Sequence, residues 1–296
     1  MTARILSGDE VARQMRAEMK AQVEKLKAEH QLVPGLAVVL VGDNPASISY
    51  VKGKQKACGE VGIHSVEHRF GAGLPEAELL ALIGRLNADL AIHGILVQLP
   101  LPRQIDESRV LNAIDPAKDI DGFHPVNLGR LVIGEECFLP CTPHGVQQLL
   151  LRSGIQLEGR HVVVVGRSNI VGKPVANILF QKKAGANATV TVCHTGTRDM
   201  AHFTRQAEIL IVAAGRPNTV TADMVAEGAV VVDVGVNRVP DASKKSGFRL
   251  VGDVDFAGVS QKAGAISPVP GGVGPMTITM LLYNTIKSAK LKSGIA

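Results

Sequence analysis

Four consecutive valines run straight into a glycine turn in residues 162–174, VVVVGRSNIVGKP, and no other stretch of the chain restricts its fold as strongly. A run of β-branched residues suits a strand buried on both faces, as in a parallel sheet. Gly166 lets the chain turn sharply, and Ser168, Val171, Gly172 and Pro174 then lead into a helix start. Strand, glycine turn and helix together make a seat for a pyrophosphate, which the free N–H groups and dipole of the helix start favour. The spacing departs from G-x-G-x-x-G, because Ser168 stands at the second glycine position and the next glycine is Gly172. A Walker A loop is excluded, since Lys173 lacks the required glycines before it and is followed by proline rather than Ser or Thr. The alternative is a purely structural turn. The βαβ setting favours a dinucleotide.

That setting is clear from residue 142 onward. Helix 143–152, strand 161–165, helix 171–180, strand 189–193, a helix near Ala201, strand 208–213, helix 222–226 and strand 230–234 alternate as a parallel sheet with covered faces requires. The first half repeats the theme less regularly. A helix is expected over 9–30, where Val11, Met15, Met19, Val23 and Leu26 share a stripe. Strand 35–41, a helix from Asn44-Pro45 to about Cys58, strand 64–70, helix 75–87, strand 94–98 and a brief helix 107–113 follow. Residues 116–143 are rich in Gly, Pro and Asp and predict an irregular loop with a functional task. The last helix is expected over 275–290. With 296 residues the chain is long enough for two domains. The expected fold class is α/β, with two α/β domains and a boundary near 135–145.

Composition narrows the function classes. A net charge of +5 suits anionic partners, but the basic residues are scattered and there is no Trp to stack on bases, so nucleic acid is not expected as a partner. Cys137 and Cys141 lack a second pair at ligand spacing, so no metal is expected. The start MTARILSGDE shows no signal segment, and no apolar run reaches membrane-spanning length. A cytoplasmic chain with reduced thiols and no membrane association is the expectation. There is no G-x-S-x-G elbow, and His144, His194 and His202 read as separate local residues.

Candidate reaction-centre residues lie in three places. Tyr50 and Lys54 are one helical turn apart and could present a ring and an amine to one cleft; the alternative is a solvated face shared with Lys52 and Lys56. Gln98 sits in the apolar ILVQLPLP, where a buried amide must either tie down backbone or face a ligand. Asp121, in DIDGF, could form a turn or recognise an N–H donor. A fourth stretch, PVPGGVGPMT at 268–277, uses three glycines where a bare connection needs none, and a ligand-facing role is expected. For the cofactor, the strand ending at Cys193 is followed by His194-Thr195-Gly196-Thr197 with no acid until Asp199, while Arg167 and Arg198 are near in sequence. Hydroxyls and guanidinium groups suit a 2′-phosphate, so NADP is expected over NAD.

Taken together, YVKGKQK at 50–56, VQLPLP at 97–102, KDIDGF at 118–123, PCTP at 140–143, GRS with VGKP at 166–174 and PGGVGPMT at 270–277 resemble the bifunctional methylenetetrahydrofolate dehydrogenase/methenyltetrahydrofolate cyclohydrolase family over nearly the whole chain. The resemblance implies a homodimer with a folate-binding catalytic domain at 1–140, completed by 275–296, and a Rossmann-like NADP-binding domain at 141–274. It implies 5,10-methylenetetrahydrofolate, 5,10-methenyltetrahydrofolate and 10-formyltetrahydrofolate as substrates and product. Lys54 would be the catalytic lysine, Gln98 its helper, Asp121 the acid that grips the pterin and Tyr50 the ring that stacks on it. Leu99, Pro270, Gly271 and Gly272 would complete the folate site. Gly166, Arg167, Ser168, Val171, Gly172, Pro174, His194, Thr195, Ala214, Gly215, Val236, Gly274 and Thr277 would contact the cofactor. Two competitors remain: another NAD(P)-linked dehydrogenase of the same layout, and a non-enzymatic binding protein.

Overall fold

The computed structural model describes residues 2–244 and 247–295. Two compact units emerge: one contains the residues up to Ala12 together with Thr142–Thr277, the other Arg13–Cys141 together with the residues from Ile278 on. The expectation gave all of 1–140 to one domain. Residues 2–12 instead group with the later unit, because the two-residue strand β1 (Arg4–Ile5) pairs at its sheet edge. Helix α1 (Gly8–His30) follows, and the unit boundary falls within it.

The Arg13–Cys141 unit has a three-stranded parallel sheet in the order β3-β2-β4, made of β2 (Gly35–Val41), β3 (His64–Phe70) and β4 (Gly94–Val97). Every residue of β2 is buried, as its unbroken apolar run requires of a central strand. Between β2 and β3 runs α2 (Pro45–Val61), which starts cleanly because Asn44 Oδ1 accepts from the Ala46 and Ser47 amides while Pro45 needs no partner there. Helices α3 (Glu76–Ala88) and α4 (Glu107–Ala113) flank β4 in sequence. Leu79, Ile83, Ile95, Val97 and Val110 join Ala37, Val39 and Val41 in one core, where each fully buried aliphatic side chain contributes about 1.5–3 kcal/mol.

The stretch 116–143, expected to be irregular, contains a helix, α5 (Pro125–Ile133). His124 caps it, its Nδ1 accepting from the Val126 amide at 3.1 Å, and Gly134 closes it in a left-handed conformation. The short span between those stops hid it from a periodicity search.

Next come α6 (Cys141–Arg152), β5 (His161–Val165), α7 (Gly172–Leu179), β6 (Thr189–Cys193), α8 (Met200–Thr204), β7 (Ile209–Val212) and β8 (Val230–Asp233). The expected helix at 222–226 is only a single 3-10 turn, Ala222–Met224. A hairpin of β9 (Asn237–Pro240) and β10 (Phe248–Val251), the helix α9 (Phe256–Val259) and the strand β11 (Ala265–Ile266) were not expected. The chain ends in α10 (Val273–Lys292). The second sheet has six strands, all parallel, in the order β1-β11-β8-β7-β5-β6. Its core gathers Val163, Val165, Leu210, Val212, Val231 and Ile266. Among the described residues, no helix is long and apolar enough to cross a membrane.

Candidate active site

In the Thr142–Thr277 unit β5 and β7 are neighbours, and the connection after β5 runs to β6 on one side while that after β7 runs to β8 on the other, so the two leave in opposite directions. Such a switch point opens a crevice beyond the carboxyl ends of the strands. A cavity of about 470 Å³ lies there, lined by Val165, Gly166, Arg167 and Ser168 after β5, His194, Thr195, Thr197 and Met200 after β6, and Ala213, Ala214, Arg216 and Thr219 after β7.

Gly166 is held at φ +124, and a Cβ there would lie 2.1 Å from the Ala213 carbonyl oxygen. A side chain would therefore both strain the backbone and close the turn. Gly172 approaches as closely, since its Cβ would lie 2.2 Å from the Gly166 oxygen. Ser168 is a cap rather than a spare hydroxyl: its Oγ accepts from the Val171 and Gly172 amides at 3.1 and 3.4 Å, ordering the start of α7. A glycine cradle, a helix start and two guanidinium groups fit a dinucleotide diphosphate.

Of the residues predicted for the cofactor, Gly166, Arg167, Ser168, His194, Thr195 and Ala214 line this cavity. Val171, Gly172 and Pro174 form the helix start behind it, and Gly215 belongs to the turn after β7. Val236 is exposed beyond β8 and does not line it. Gly274 and Thr277 lie in the first turns of α10, where the Thr277 hydroxyl pairs with that of Thr142 at 2.9 Å. Arg198 is absent from the lining and Arg216 is present, so the second guanidinium comes from the β7 loop. Asp199, the first acid after β6, is used as the cap of α8, accepting from the His202 amide.

In the Arg13–Cys141 unit, Lys54 lies on the buried face of α2 with Ser47, Val51, Ala57, Cys58 and Val61, while Lys52 and Lys56 are exposed. A solvated lysine face therefore describes two of the three. The Lys54 ammonium donates to Gln98 Oε1 at 3.1 Å. Gln98 follows β4, its own amide bonds the Val39 carbonyl, and its Nε2 donates to the Leu99 carbonyl at 2.8 Å. The expected tie to nearby backbone is present in the Leu99 bond, and the amide oxygen meets the Lys54 ammonium. Tyr50, one turn before Lys54, is 40% exposed.

Asp121 and Asp119 have separate tasks. Asp119 shapes the turn, its carboxylate accepting from the Phe123 and His124 amides and from Asn127 Nδ2 at 3.2, 2.9 and 2.8 Å. Asp121 is left to face Lys54 and the Cys141 thiol. Burial pushes its carboxyl above the usual range, partly offset by the positive charge of Lys54. Burial likewise pushes the Cys141 thiol well up, and the neighbouring Asp121 charge adds to this. The backbone around Asp121 is fixed from α10: Asn284 Nδ2 donates to the Ile120 and Leu139 carbonyls at 2.8 and 3.0 Å. Cys141 donates from its amide to the Asp121 carbonyl and from its thiol to that of Ile120. Cys141 lies in the PCTP motif, but Asn284 carried no signal in the sequence, because its partners are distant along the chain.

Pro270, Gly271 and Gly272 belong to the other unit. There the Gly271 carbonyl accepts from the Asp9 amide at 3.1 Å, and Gly272 packs directly on Gly8.

The sheet and its cavity define a Rossmann-like dinucleotide-binding α/β protein, joined in one chain to a unit carrying an amine, an amide and a carboxylate in one cluster. Comparison with known proteins makes this specific. Residues 6–121 match the model for the catalytic domain of tetrahydrofolate dehydrogenase/cyclohydrolase, and residues 140–293 match that for its NAD(P)-binding domain. The bifunctional protein FolD of Syntrophus aciditrophicus is 60% identical over 295 residues, with 100% of both chains covered. Among solved structures, the bifunctional FolD of Campylobacter jejuni is 51% identical with a TM-score of 0.92, covering 98% of this chain and 99% of its own. The Trypanosoma brucei methylenetetrahydrofolate dehydrogenase-cyclohydrolase, solved with NADP and an inhibitor, is 40% identical with a TM-score of 0.93 and 99% coverage of both chains. The chain belongs to the tetrahydrofolate dehydrogenase/cyclohydrolase family.

Proposed function

We infer that this chain is a bifunctional enzyme: it oxidises 5,10-methylenetetrahydrofolate to 5,10-methenyltetrahydrofolate, then hydrolyses that product to 10-formyltetrahydrofolate. The observation that carries the reading is the 3.1 Å contact of Lys54 with Gln98 beside the Asp121 carboxyl. NADP+ supplies the hydride acceptor for the first reaction. The enzyme's part in that step is to hold two rings in reacting orientation. Tyr50 offers a stacking face to the pterin and Asp121 an acceptor for its N–H donors, with Leu99 beside them. In the second reaction Lys54, having given up a proton as the cationic methenyl ligand binds, takes one from the water that adds at the methenyl carbon. It returns a proton to N5 as that C–N bond breaks, leaving the formyl group on N10 and releasing one proton overall. Gln98 holds the amine for both transfers. Hydride and proton transfers balance without a metal ion.

NADP is favoured over NAD by Arg167 and Arg216 on the cavity and by the acid-free end of β6. A homodimer is supported by β6, which ends the strand order at one sheet edge and carries the exposed Val192, with Phe180 and Phe203 also exposed. Four buried cysteine thiols suit the reducing cytoplasm. The deciding assay follows NADP+-dependent oxidation of the methylene substrate and then loss of the methenyl chromophore. A purified chain that leaves both substrates unchanged overturns the reading. A higher kcat/KM with NAD+ than with NADP+ overturns the cofactor choice alone.

A further inference from the structure

Asp253, in the turn after β10, is fully buried and far in sequence from every motif that points to a ligand. One of its carboxylate oxygens, Oδ2, accepts from both the Ala214 and Gly215 amides at 2.7 Å. The other, Oδ1, accepts from Asn237 Nδ2 at 2.8 Å. Its main-chain carbonyl accepts from the Thr219 and Val220 amides at 2.7 and 3.2 Å. A single residue thus holds both ends of the loop that supplies Ala214, Arg216 and Thr219 to the cofactor cavity.

Three donors converge on this side chain, which only an acceptor-only group satisfies in full. Asp253 is itself positioned by a second buried carboxylate. Asp233 Oδ1 accepts from the Asp253 and Gly235 amides, each at 2.9 Å, and its Oδ2 from the Val254 amide at 3.0 Å. The packing leaves no slack: a Cβ at Gly235 would lie 2.2 Å from the Asp253 carboxyl carbon, and one at Gly252 would lie 1.8 Å from Asp233 Oδ2. A loop released from these bonds must be ordered at the moment of binding, which weakens affinity without removing any ligand contact.

We propose that Asp253 is a positioning residue for the cofactor, setting the Ala214–Thr219 wall of the dinucleotide cavity through its backbone amides without touching the ligand. The proposal rests on the cofactor reading of that cavity. Asn237 Nδ2 also donates to the Gly252 carbonyl at 3.2 Å, so this amide ties the Asp253 carboxylate to its own turn. In Asp253→Asn an N–H2 group replaces one acceptor oxygen and meets a donor, either the Asn237 amide or the Ala214 and Gly215 amides.

The test measures NADP+ affinity by calorimetry and, separately, hydrolysis of the methenyl substrate without nucleotide. Asp253→Ala is expected to raise the NADP+ Kd by roughly 10- to 100-fold, as loss of hydrogen bonds to a charged acceptor predicts. Hydrolysis should stay within about twofold of the parent, since its chemistry lies in the other unit. Asp253→Asn, which keeps the shape of the side chain and loses one acceptor, should weaken NADP+ binding less than Asp253→Ala does. An unchanged Kd in Asp253→Ala overturns the proposal, as does a parallel fall of affinity and hydrolysis in both variants. Absence of NADP+-dependent oxidation in the parent chain strikes the functional reading instead.

Discussion

The cofactor cavity and the lysine cluster both lie beyond the carboxyl ends of parallel strands, yet they are built from different material. Around the cavity the decisive groups are backbone: the Gly166 turn, the amides at the start of α7 that Ser168 caps, and the Ala214 and Gly215 amides gathered by Asp253. Around Lys54 they are side chains brought together from α2, the end of β4 and the turn before α5. Backbone groups set the shape of the cavity wall, their amides bonded to Ser168 and Asp253. Side chains hold the groups that must gain and lose protons. The teaching is that damage to one region should leave the chemistry of the other standing.

The largest separation is expected from Lys54→Met. Hydrolysis should fall by roughly 10²- to 10⁴-fold, the range of a lost acid–base group, while NADP+ affinity measured by calorimetry stays near that of the parent. Hydrolysis at the parental rate would remove Lys54 from the mechanism. Gly166→Val is the converse. Its side chain meets the Ala213 carbonyl from a backbone at φ +124, and about 1–3 kcal/mol of strain predicts NADP+ binding weaker by roughly ten- to a hundredfold, with hydrolysis largely kept. Equal loss of both activities would mean that the two regions are not independent.

Asp121→Ala should weaken folate binding by roughly tenfold and leave NADP+ binding alone, as separate titrations would reveal. The smallest effect concerns pH. Burial pushes the Asp233 carboxyl up to about 6 from an ordinary 3.8. Between those values the folded state binds more protons than the unfolded, so this group's contribution to stability falls as pH rises through the window. From pH 5 to 7 the parent should lose roughly 1 kcal/mol relative to Asp233→Asn in denaturant titrations. A pH-independent difference would place Asp233 in the ordinary carboxylate range.

Legibility followed the distance along the chain over which each feature is encoded. The strand β5 and the helix α1 were expected almost to the residue, because each is written in a contiguous periodic pattern. Strands β1 and β11, two residues each, are too short to show any period and exist because a neighbouring edge accepts them. The helix α5 was concealed by the proline and glycine that bound it, although both are ordinary start and stop residues. Lys54 illustrates a different limit. Its helical position was legible, but its burial beside Gln98, unlike the exposure of Lys52 and Lys56, depends on which face α2 turns inward. Arg198 and Arg216 make the same point for the cofactor, since nearness in sequence to Arg167 did not decide which arginine lines the cavity.

By itself the sequence determined the parallel α/β architecture and the glycine cradle after β5, because strand burial and a turn at positive φ are local demands met by adjacent residues. It also carried the motifs of a folate-dependent dehydrogenase and cyclohydrolase. Tertiary structure alone decided that Asp119 shapes a turn while Asp121 faces Lys54, that Asn284 fixes the backbone beneath it, and that Asp253 holds the cavity wall. The partners of Asp119 are local, at Phe123, His124 and Asn127, whereas Asn284 and Asp253 depend on finding partners far along the chain, and burial leaves such groups no water to bond instead.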